Sequence, residues 1–233
     1  MKKLLLSSLF LLIIVIFNGC GTDNNGELIT SPVDESFLFQ KSGCDQIIDK
    51  DYYTICYDYD AKGALFIGYS LDGDVVNNPN IDDRPSFYDE LSIAKEYRSH
   101  YDDYTGSGYD RGHMASDASF DYNESVLVSV YSMANIVPQD PDVNRYAWID
   151  TEYLERDKAV EYGTLDVVIA IVYGDNPQRI GEGAIAVPSG FYKKLFNTEF
   201  SYQSCYFYEN IPYTVETDTL DQHKVSCDNF PIY

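Results

Sequence analysis

Five cysteines and one apolar run at the N-terminus constrain the fold of this 233-residue chain most strongly. Lys2 and Lys3 precede a mostly apolar segment at 4–17, which is shorter than a membrane span and typical of an export signal. Export places the rest of the chain in an oxidising compartment, where cysteines form disulfides. An odd number of cysteines is unexpected there, because disulfides use them in pairs.

Cys20 directly follows Gly19 at the end of this segment, an arrangement that resembles the acylation site of bacterial lipoproteins. We therefore expect a signal peptide at 1–19, a lipid on Cys20 that anchors the exported protein in the cell envelope or periplasm, and a polar tether at 20–35. Plain secretion with cleavage near Gly19 is the alternative. No other stretch is apolar enough for a bilayer, which excludes a multi-pass membrane protein.

The four remaining cysteines predict two disulfides, Cys44–Cys56 and Cys205–Cys227, because each of these pairings closes a short local loop. Two other connectivities are open to four cysteines. A metal site is the alternative for these thiols, but the chain lacks the CxxC spacing that is typical of such sites.

The chain beyond the predicted signal is strongly acidic. Residues 20–233 carry 14 basic and 38 acidic side chains, a formal charge of −24. This balance argues against a nucleic-acid coat protein, which needs a large basic surface. Six of the basic residues nevertheless fall in one part of the sequence: Arg84, Lys95, Arg98, Arg111, Arg145 and Arg156. Their grouping predicts a locally positive cleft on an acidic body.

The domain at 36–233 has the pattern of an α+β fold with a mixed, largely antiparallel sheet. Aromatic and β-branched runs at 52–59 and 64–71 flank a turn and are typical of a hairpin. Further strands are predicted at 126–133, 167–173, 184–187 and 191–196. A short helix is predicted at 91–100, and a second helix starts at Asp140-Pro141, since proline suits the first helical turn.

A spaced set of residues at 110–152 carries the chemistry: Asp110, Arg111, Gly112, His113, Asn135, Pro138, Gln139, Asn144, Trp148 and Glu152. This set resembles the motif of the DNA/RNA non-specific endonucleases, which are endonuclease G-like ββα-metal nucleases, and the likeness extends over about 50–200. The resemblance implies a ββα-metal active-site motif. It also implies a Mg²⁺-dependent phosphodiester hydrolase that cuts DNA and RNA with little sequence preference and leaves 5′-phosphate ends.

The residue types fit this chemistry. Neutral His113 can take a proton from water near neutral pH. Because Mg²⁺ keeps most of its waters, one amide oxygen is a sufficient ligand, and the resemblance implies Asn144; Mn²⁺ is an alternative cation. Glu152 lies about 12 Å further along the helix axis, so we expect it to order metal-bound water, with a solvated helix acid as the alternative. Asp110 is expected to fix the loop and Trp148 to lie in the core.

Three arginines are candidate phosphate ligands. Arg111 is implied by the resemblance, and a guanidinium suits the task through its two-donor geometry. Arg84 matches the family's second arginine loosely, and Arg145 adjoins the expected metal ligand; for both, a solvated surface residue is the alternative. Asn135 is grouped with the catalytic residues and is expected to orient the substrate or the metal-binding segment.

A non-catalytic nucleic-acid-binding envelope lipoprotein on the same fold is the alternative function. The joint presence of His113, Asn144 and Glu152 argues against it, because binding alone needs neither a base nor a metal ligand. The predicted partners are DNA and RNA, with membrane contact through the N-terminal lipid only. The remaining histidines, His100 and His223, lie outside any motif and are predicted to be solvated loop residues.

Overall fold

A computed structural model describes residues 43–78 and 80–231. The predicted signal, the lipid site at Cys20 and the tether lie outside the described residues. Within them, the α+β prediction is confirmed, with a large antiparallel sheet at the centre. None of the helices in this part of the chain combines the length and the apolar character needed to cross a membrane.

Eleven strands and two α-helices occur in the described residues. The strands are β1 (Gln46–Asp49), β2 (Tyr53–Asp58), β3 (Gly63–Asp72), β4 (Asp110–His113), β5 (Ile136–Gln139), β6 (Thr164–Val172), β7 (Arg179–Ile180), β8 (Ile185–Ala186), β9 (Gly190–Asn197), β10 (Tyr202–Glu209) and β11 (Lys224–Val225). The helices are α1 (Glu124–Val130) and α2 (Trp148–Tyr162). Seven strands form the central sheet in the order β1-β2-β3-β6-β9-β10-β11, and all neighbours are antiparallel.

The central strand β6 is buried on both faces. Val167 and Ile169 point into the main core, which also contains Trp148 of α2. Val168 and Ala170 alternate with them and face a second, smaller cluster on the other side of the sheet. Since successive side chains of a strand point to opposite faces, burial of both faces explains the continuous apolar run from which this strand was predicted.

The ββα motif lies on the main-core side of the sheet. Strands β4 and β5 pair antiparallel along their full length and form a separate two-stranded sheet. The chain then enters a helix at Pro141, as predicted, passes through a π-helical turn at Val143–Ala147 and continues as α2. Val143 and Trp148 are buried and hold this helix against the sheet.

The strand predicted at 126–133 is wrong, because most of this segment is the helix α1. The side-chain oxygen of Asn123 caps the helix by accepting a hydrogen bond of 2.9 Å from the backbone N–H of Ser125. Three apolar residues are buried at helical spacing: Val126, Leu127 and Val130. Burial of this face outweighs the preference of valine for strands.

The helix predicted at 91–100 is also wrong, since the segment contains only a 3₁₀ turn at Lys95–Tyr97. The Arg98 side chain donates hydrogen bonds to backbone carbonyls that would accept backbone N–H groups in a helix. Its Nε donates to the Ile93 carbonyl at 2.5 Å, and its Nη2 donates to the Leu91 carbonyl at 3.1 Å.

Both predicted disulfides are present. The Cα atoms are 5.1 Å apart in Cys44–Cys56 and 5.2 Å apart in Cys205–Cys227, which is within bridging range. The first disulfide ties the segment before β1 to β2, and the second ties β10 to a C-terminal 3₁₀ turn. These four cysteines therefore do not form a metal site.

Candidate active site

His113, the last residue of β4, has a half-buried ring that is neutral at pH 7. The ring packs against Phe87 and Tyr131, with centroid distances of 5.4 and 4.9 Å. Its Nε2 is buried and has no hydrogen-bond partner among the described residues. Burial lowers the pKa of His113 to about 4; the nearby Asp117 carboxylate raises this pKa, and the Arg84 guanidinium lowers it. At pH 7 the imidazole is therefore neutral and can accept a proton.

Asn144 lies in the π-helical turn before α2, a type of helix irregularity that is frequent at functional sites. Its Nδ2 donates a hydrogen bond of 3.1 Å to Oδ2 of Asp110. This bond orients the amide and leaves Oδ1, an oxygen of the kind that Mg²⁺ binds, for another partner. Nowhere in the described residues do three His, Cys, Asp or Glu side chains form a group that could hold a metal. A cation at this site would depend on the Asn144 oxygen and on water, and the residues present fit that arrangement.

Asp110 anchors the site. Besides Asn144, it binds Arg145, whose Nε and Nη2 donate to its two carboxylate oxygens at 2.7 Å each. The hydrogen bond from Arg145, with a smaller effect from Asn144, holds the pKa of Asp110 below its ordinary value. The carboxylate is thus ionised at neutral pH and fixes the start of β4 to the π-helical turn.

Glu152 is on the same helix, two turns beyond Asn144. Burial raises the pKa of Glu152 to about 7; the neighbouring Lys193 lowers this pKa, and Glu155 raises it. A carboxyl group with this pKa can exist in either protonation state near neutral pH. Such a group is suited to accepting hydrogen bonds from ordered water, the role expected from the sequence.

The Arg111 guanidinium is held by Tyr101 but keeps an unpartnered donor. Its Nη2 donates to the Tyr101 carbonyl at 2.9 Å, and its Cζ lies 3.6 Å from the centre of the Tyr101 ring. Its Nε is buried and has no partner among the described residues. A buried N–H without a partner is costly, so this donor is suited to a ligand oxygen such as that of a phosphate.

The other two candidate arginines are paired with carboxylates. Arg145 is 60% exposed and bound to Asp110 through one edge of its guanidinium. Arg84 lies between Asp117 and Asp121, with Nη2 at 3.0 Å from an oxygen of each. Arg84 is close enough to His113 for its charge to lower the pKa of the imidazole. Both arginines are nevertheless engaged by acidic partners.

Asn135 bonds backbone groups through its amide, and its assignment as a catalytic residue stays a prediction. Its side chain is fully buried. Its Oδ1 accepts from the Ala115 N–H at 2.8 Å, and its Nδ2 donates to the carbonyls of Ala115 and Val130 at 3.0 and 2.9 Å. The amide is therefore occupied by backbone groups, and Asn135 positions the segment that follows His113.

Gly112 is required by packing inside the motif. A Cβ atom at this position would lie 2.2 Å from Oε1 of Gln139, a contact that real structures do not show. Gln139 is fully buried on the paired strand, and both of its amide atoms lack partners among the described residues. The glycine and the glutamine of the motif are thus packing partners across β4 and β5.

Arg156 was not predicted as a site residue. It is 8% exposed, and its Nη1 is buried without a partner among the described residues. It lies close enough to Glu152 to lower the pKa of that group. A signal was present in the sequence, because Arg156 follows Glu152 by four residues, a spacing that puts both side chains on one face of a helix.

A buried ion pair beneath α2 was also missed. Lys193 and Glu155 are fully buried, and Nζ lies 2.8 Å from Oε2 of the carboxylate. The hydroxyl groups of Tyr69 and Ser119 donate hydrogen bonds to Glu155 at 3.0 and 2.7 Å. Nζ of Lys193 also lies 4.3 Å from the centre of the Trp148 ring. Trp148 itself is 1% exposed, and therefore belongs to the core as expected.

The two histidines outside the motif are less solvated than predicted. Nδ1 of the half-buried His100 lies 2.8 Å from Asp89. His223 is 7% exposed, with Nε2 at 2.7 Å from Asp218 and its ring stacked on Tyr208 at 3.9 Å. Both therefore have structural partners.

Known proteins resemble this chain in sequence and in fold. A family model described as DNA/RNA non-specific endonuclease matches residues 35–231. Human mitochondrial endonuclease G is 28% identical over 163 residues, covering 66% of this chain and 55% of that protein. The mitochondrial nuclease of Saccharomyces cerevisiae is 26% identical over 161 residues, covering 63% of this chain and 49% of that protein. The match thus spans about half the length of these relatives.

A solved structure shows the likeness of fold. A chain from the crystal structure of the EndoG/EndoGI complex superposes with a TM-score of 0.75 and 23% identity, covering 86% of this chain and 89% of that one.

Proposed function

The chain belongs to the DNA/RNA non-specific endonuclease family, and from that premise we propose that it hydrolyses phosphodiester bonds in DNA and RNA with little sequence preference. The observation that carries the proposal is the state of His113. It is neutral at pH 7, and its buried Nε2 has no partner among the described residues. A purely structural histidine would have this nitrogen hydrogen-bonded.

In the proposed mechanism His113 is the general base that takes the proton of the attacking water. Arg111 presents its unpartnered Nε to a phosphate oxygen and is held in place by Tyr101. Asn135 fixes the backbone that follows His113. Glu152 accepts hydrogen bonds from ordered water.

We assign Asn144 as the protein ligand of Mg²⁺, with Mn²⁺ as the alternative cation. A bound Mg²⁺ would act as a Lewis acid on the scissile phosphate and the leaving oxygen. The support is the Asp110 carboxylate, which binds Nδ2 of Asn144 and leaves the amide oxygen available.

Incubation of the purified protein with plasmid and with RNA tests the activity. We expect cleavage of both with Mg²⁺ and none with EDTA. Replacing Asn144 with alanine should raise the Mg²⁺ concentration needed for half-maximal cleavage by roughly tenfold or more, because it removes the only proposed protein ligand. Cleavage is measured at a series of Mg²⁺ concentrations.

The control is Asn77→Ala, which changes an exposed asparagine that precedes the motif at 110–152. Its metal dependence should match that of the wild type. If Asn144→Ala also matched the wild type, Asn144 would not be the ligand. Nucleic-acid binding without cleavage at any metal concentration would favour the non-catalytic alternative.

We also propose that the protein is exported and anchored by a lipid on Cys20. Support comes from the two disulfides, which suit an oxidising compartment and leave Cys20 as the one cysteine outside them.

Replacing Cys20 with serine should remove acyl label and move the protein from the membrane fraction to the soluble fraction. Labelling with a fatty-acid analogue and fractionation measure both effects, and Ser31→Ala in the predicted tether serves as a control. A labelled Cys20→Ser variant would place the lipid elsewhere.

A further inference from the structure

Arg84 is held by two carboxylates at the edge of the candidate active site. Its Nη2 lies 3.0 Å from Oδ1 of Asp117 and 3.0 Å from Oδ2 of Asp121. Its Nη1 donates to the Ile81 carbonyl. The backbone N–H of Ile81 in turn bonds the Asp121 carbonyl at 3.0 Å, so the loop that carries Arg84 is attached to Asp121 twice.

These contacts engage the nitrogen that both phosphate-binding edges of a guanidinium share. A guanidinium offers two two-donor edges, Nε with Nη2 and Nη1 with Nη2, and both include Nη2. In Arg84, Nη2 donates a hydrogen bond to Asp121 and lies 3.0 Å from an oxygen of Asp117, so a phosphate at either edge must compete with carboxylates for this nitrogen. Arg145 differs, because Asp110 accepts hydrogen bonds only from the edge formed by Nε and Nη2. Its other edge, formed by Nη1 and Nη2, stays accessible.

The two carboxylates also repel a phosphate at this position. Asp121 is 3% exposed, and its Oδ1 has no hydrogen-bond partner among the described residues. The charge of Asp121 is therefore balanced mainly by Arg84. Asp117 is held by a hydrogen bond from Tyr131, whose ring also packs on His113. Asp117 thus lies close to His113, and a phosphate bound by Arg84 would be repelled by both carboxylates.

Resting on the proposed nuclease function, we propose that Asp117 and Asp121 form a carboxylate clamp that withholds Arg84 from the substrate. Nucleic acid binds fully only when Arg84 leaves the clamp for a phosphate, and the clamp therefore weakens affinity for polyanions. The clamp accounts for the pairing of Arg84, a predicted phosphate ligand, with two acidic side chains. Asp117 and Asp121 affect substrate binding only through the position of Arg84, and are therefore positioning residues.

The test replaces Asp121 with asparagine, which keeps the shape and removes the charge. We expect the Kd for a fluorescent single-stranded oligonucleotide, measured in EDTA, to fall roughly three- to tenfold, as when one ion pair is weakened. KM should fall by a similar factor with kcat unchanged. For this single-stranded probe, the slope of log Kd against log salt concentration should steepen by up to about 0.7, because one more phosphate contact is made. Arg84→Ala in the Asp121→Asn background should abolish the gain.

Asp83→Asn is the matched control. It removes the same charge from the same loop, but Asp83 is exposed and makes no ion pair with Arg84 in the described structure. An equal gain in this control would overturn the clamp, because net charge alone would then explain the effect. Unchanged or weaker binding by Asp121→Asn, or binding too weak to measure in every variant, would also overturn it.

Two further measurements keep the result interpretable. Thermal unfolding checks that Asp121→Asn is folded, and Asp117→Asn, whose side chain is 23% exposed, tests the same clamp at a more tolerant position. Cleavage by the wild type decides the nuclease proposal separately. If the wild type bound nucleic acid without cutting it, the Kd ratio between wild type and variant would still decide the clamp.

Discussion

Replacing His113 with alanine is expected to lower the rate of cleavage about 10²–10⁴-fold, the usual effect of losing a general base. Nucleic-acid affinity should stay close to that of the wild type, because Arg111 does not depend on His113 for its position. The Nε2 atom of His113 has no partner among the described residues, so its removal breaks no hydrogen bond there. Single-turnover cleavage with enzyme in excess measures the chemical step, and oligonucleotide binding measures the affinity.

His100→Ala is the matched control for this variant. His100 is paired with Asp89 outside the motif, and its replacement should leave the chemical step unchanged. Thermal unfolding shows whether the space left beside Phe87 and Tyr131 weakens the fold. Cleavage by His113→Ala within tenfold of the wild-type rate would show that another group is the base.

The pH dependence gives an independent check on His113. Since its pKa in the folded protein is about 4, below the ordinary value of 6.5, the base should remain neutral through pH 5. Protonation of His113 should therefore lower kcat/KM near pH 4 and not near 6.5, apart from any effect of Glu152 near pH 7, and comparison with Glu152→Gln separates the two groups. Between pH 6.5 and about 4, His113 is protonated in the unfolded chain but neutral in the folded protein. His113 therefore lowers the free energy of unfolding as the pH falls through this range. His113→Ala should remove that part of the acid sensitivity.

Much of the fold could be predicted because its elements have strong local patterns. The hairpin of β2 and β3, the apolar strand β6 and the helix after Asp140-Pro141 all follow from residues close together in the sequence. The segment at 126–133 could not be assigned in the same way. Its valines favour a strand locally, whereas the buried face of α1 is set by distant core residues.

The candidate site was predictable to the extent that its residues belong to a spaced motif. The structure places His113 at the end of β4, Asn144 in the π-helical turn and Glu152 in α2. The partners of these residues were not predictable, because only the tertiary fold brings them together. Arg84 and Asp121 are 37 positions apart, and their ion pair has no local sequence signal.

The buried ion pair of Lys193 and Glu155 is the clearest case of a feature that only the fold reveals. The two residues are 38 positions apart, on β9 and α2, and both are fully buried. Lys193 also lowers the pKa of Glu152, so the pair connects the core to the candidate active site.

Replacing Lys193 with methionine should therefore destabilise the protein by about 3–5 kcal/mol, because it leaves the Glu155 carboxylate buried without its counter-ion. Urea unfolding with the disulfides intact measures the free energy of unfolding. The control is Lys158→Met, which breaks the surface pair with Glu161 and should cost about 1 kcal/mol or less.

The double variant Lys193→Met/Glu155→Gln separates the lost charge pair from lost packing. Glutamine removes the buried charge and still offers an oxygen to the hydroxyl groups of Tyr69 and Ser119. We expect it to recover most of the stability that Lys193→Met loses, since replacing both members of a buried ion pair is often nearly neutral. If the double variant were no more stable than Lys193→Met, the loss would come from the packing of Lys193 against Trp148 and not from the uncompensated charge.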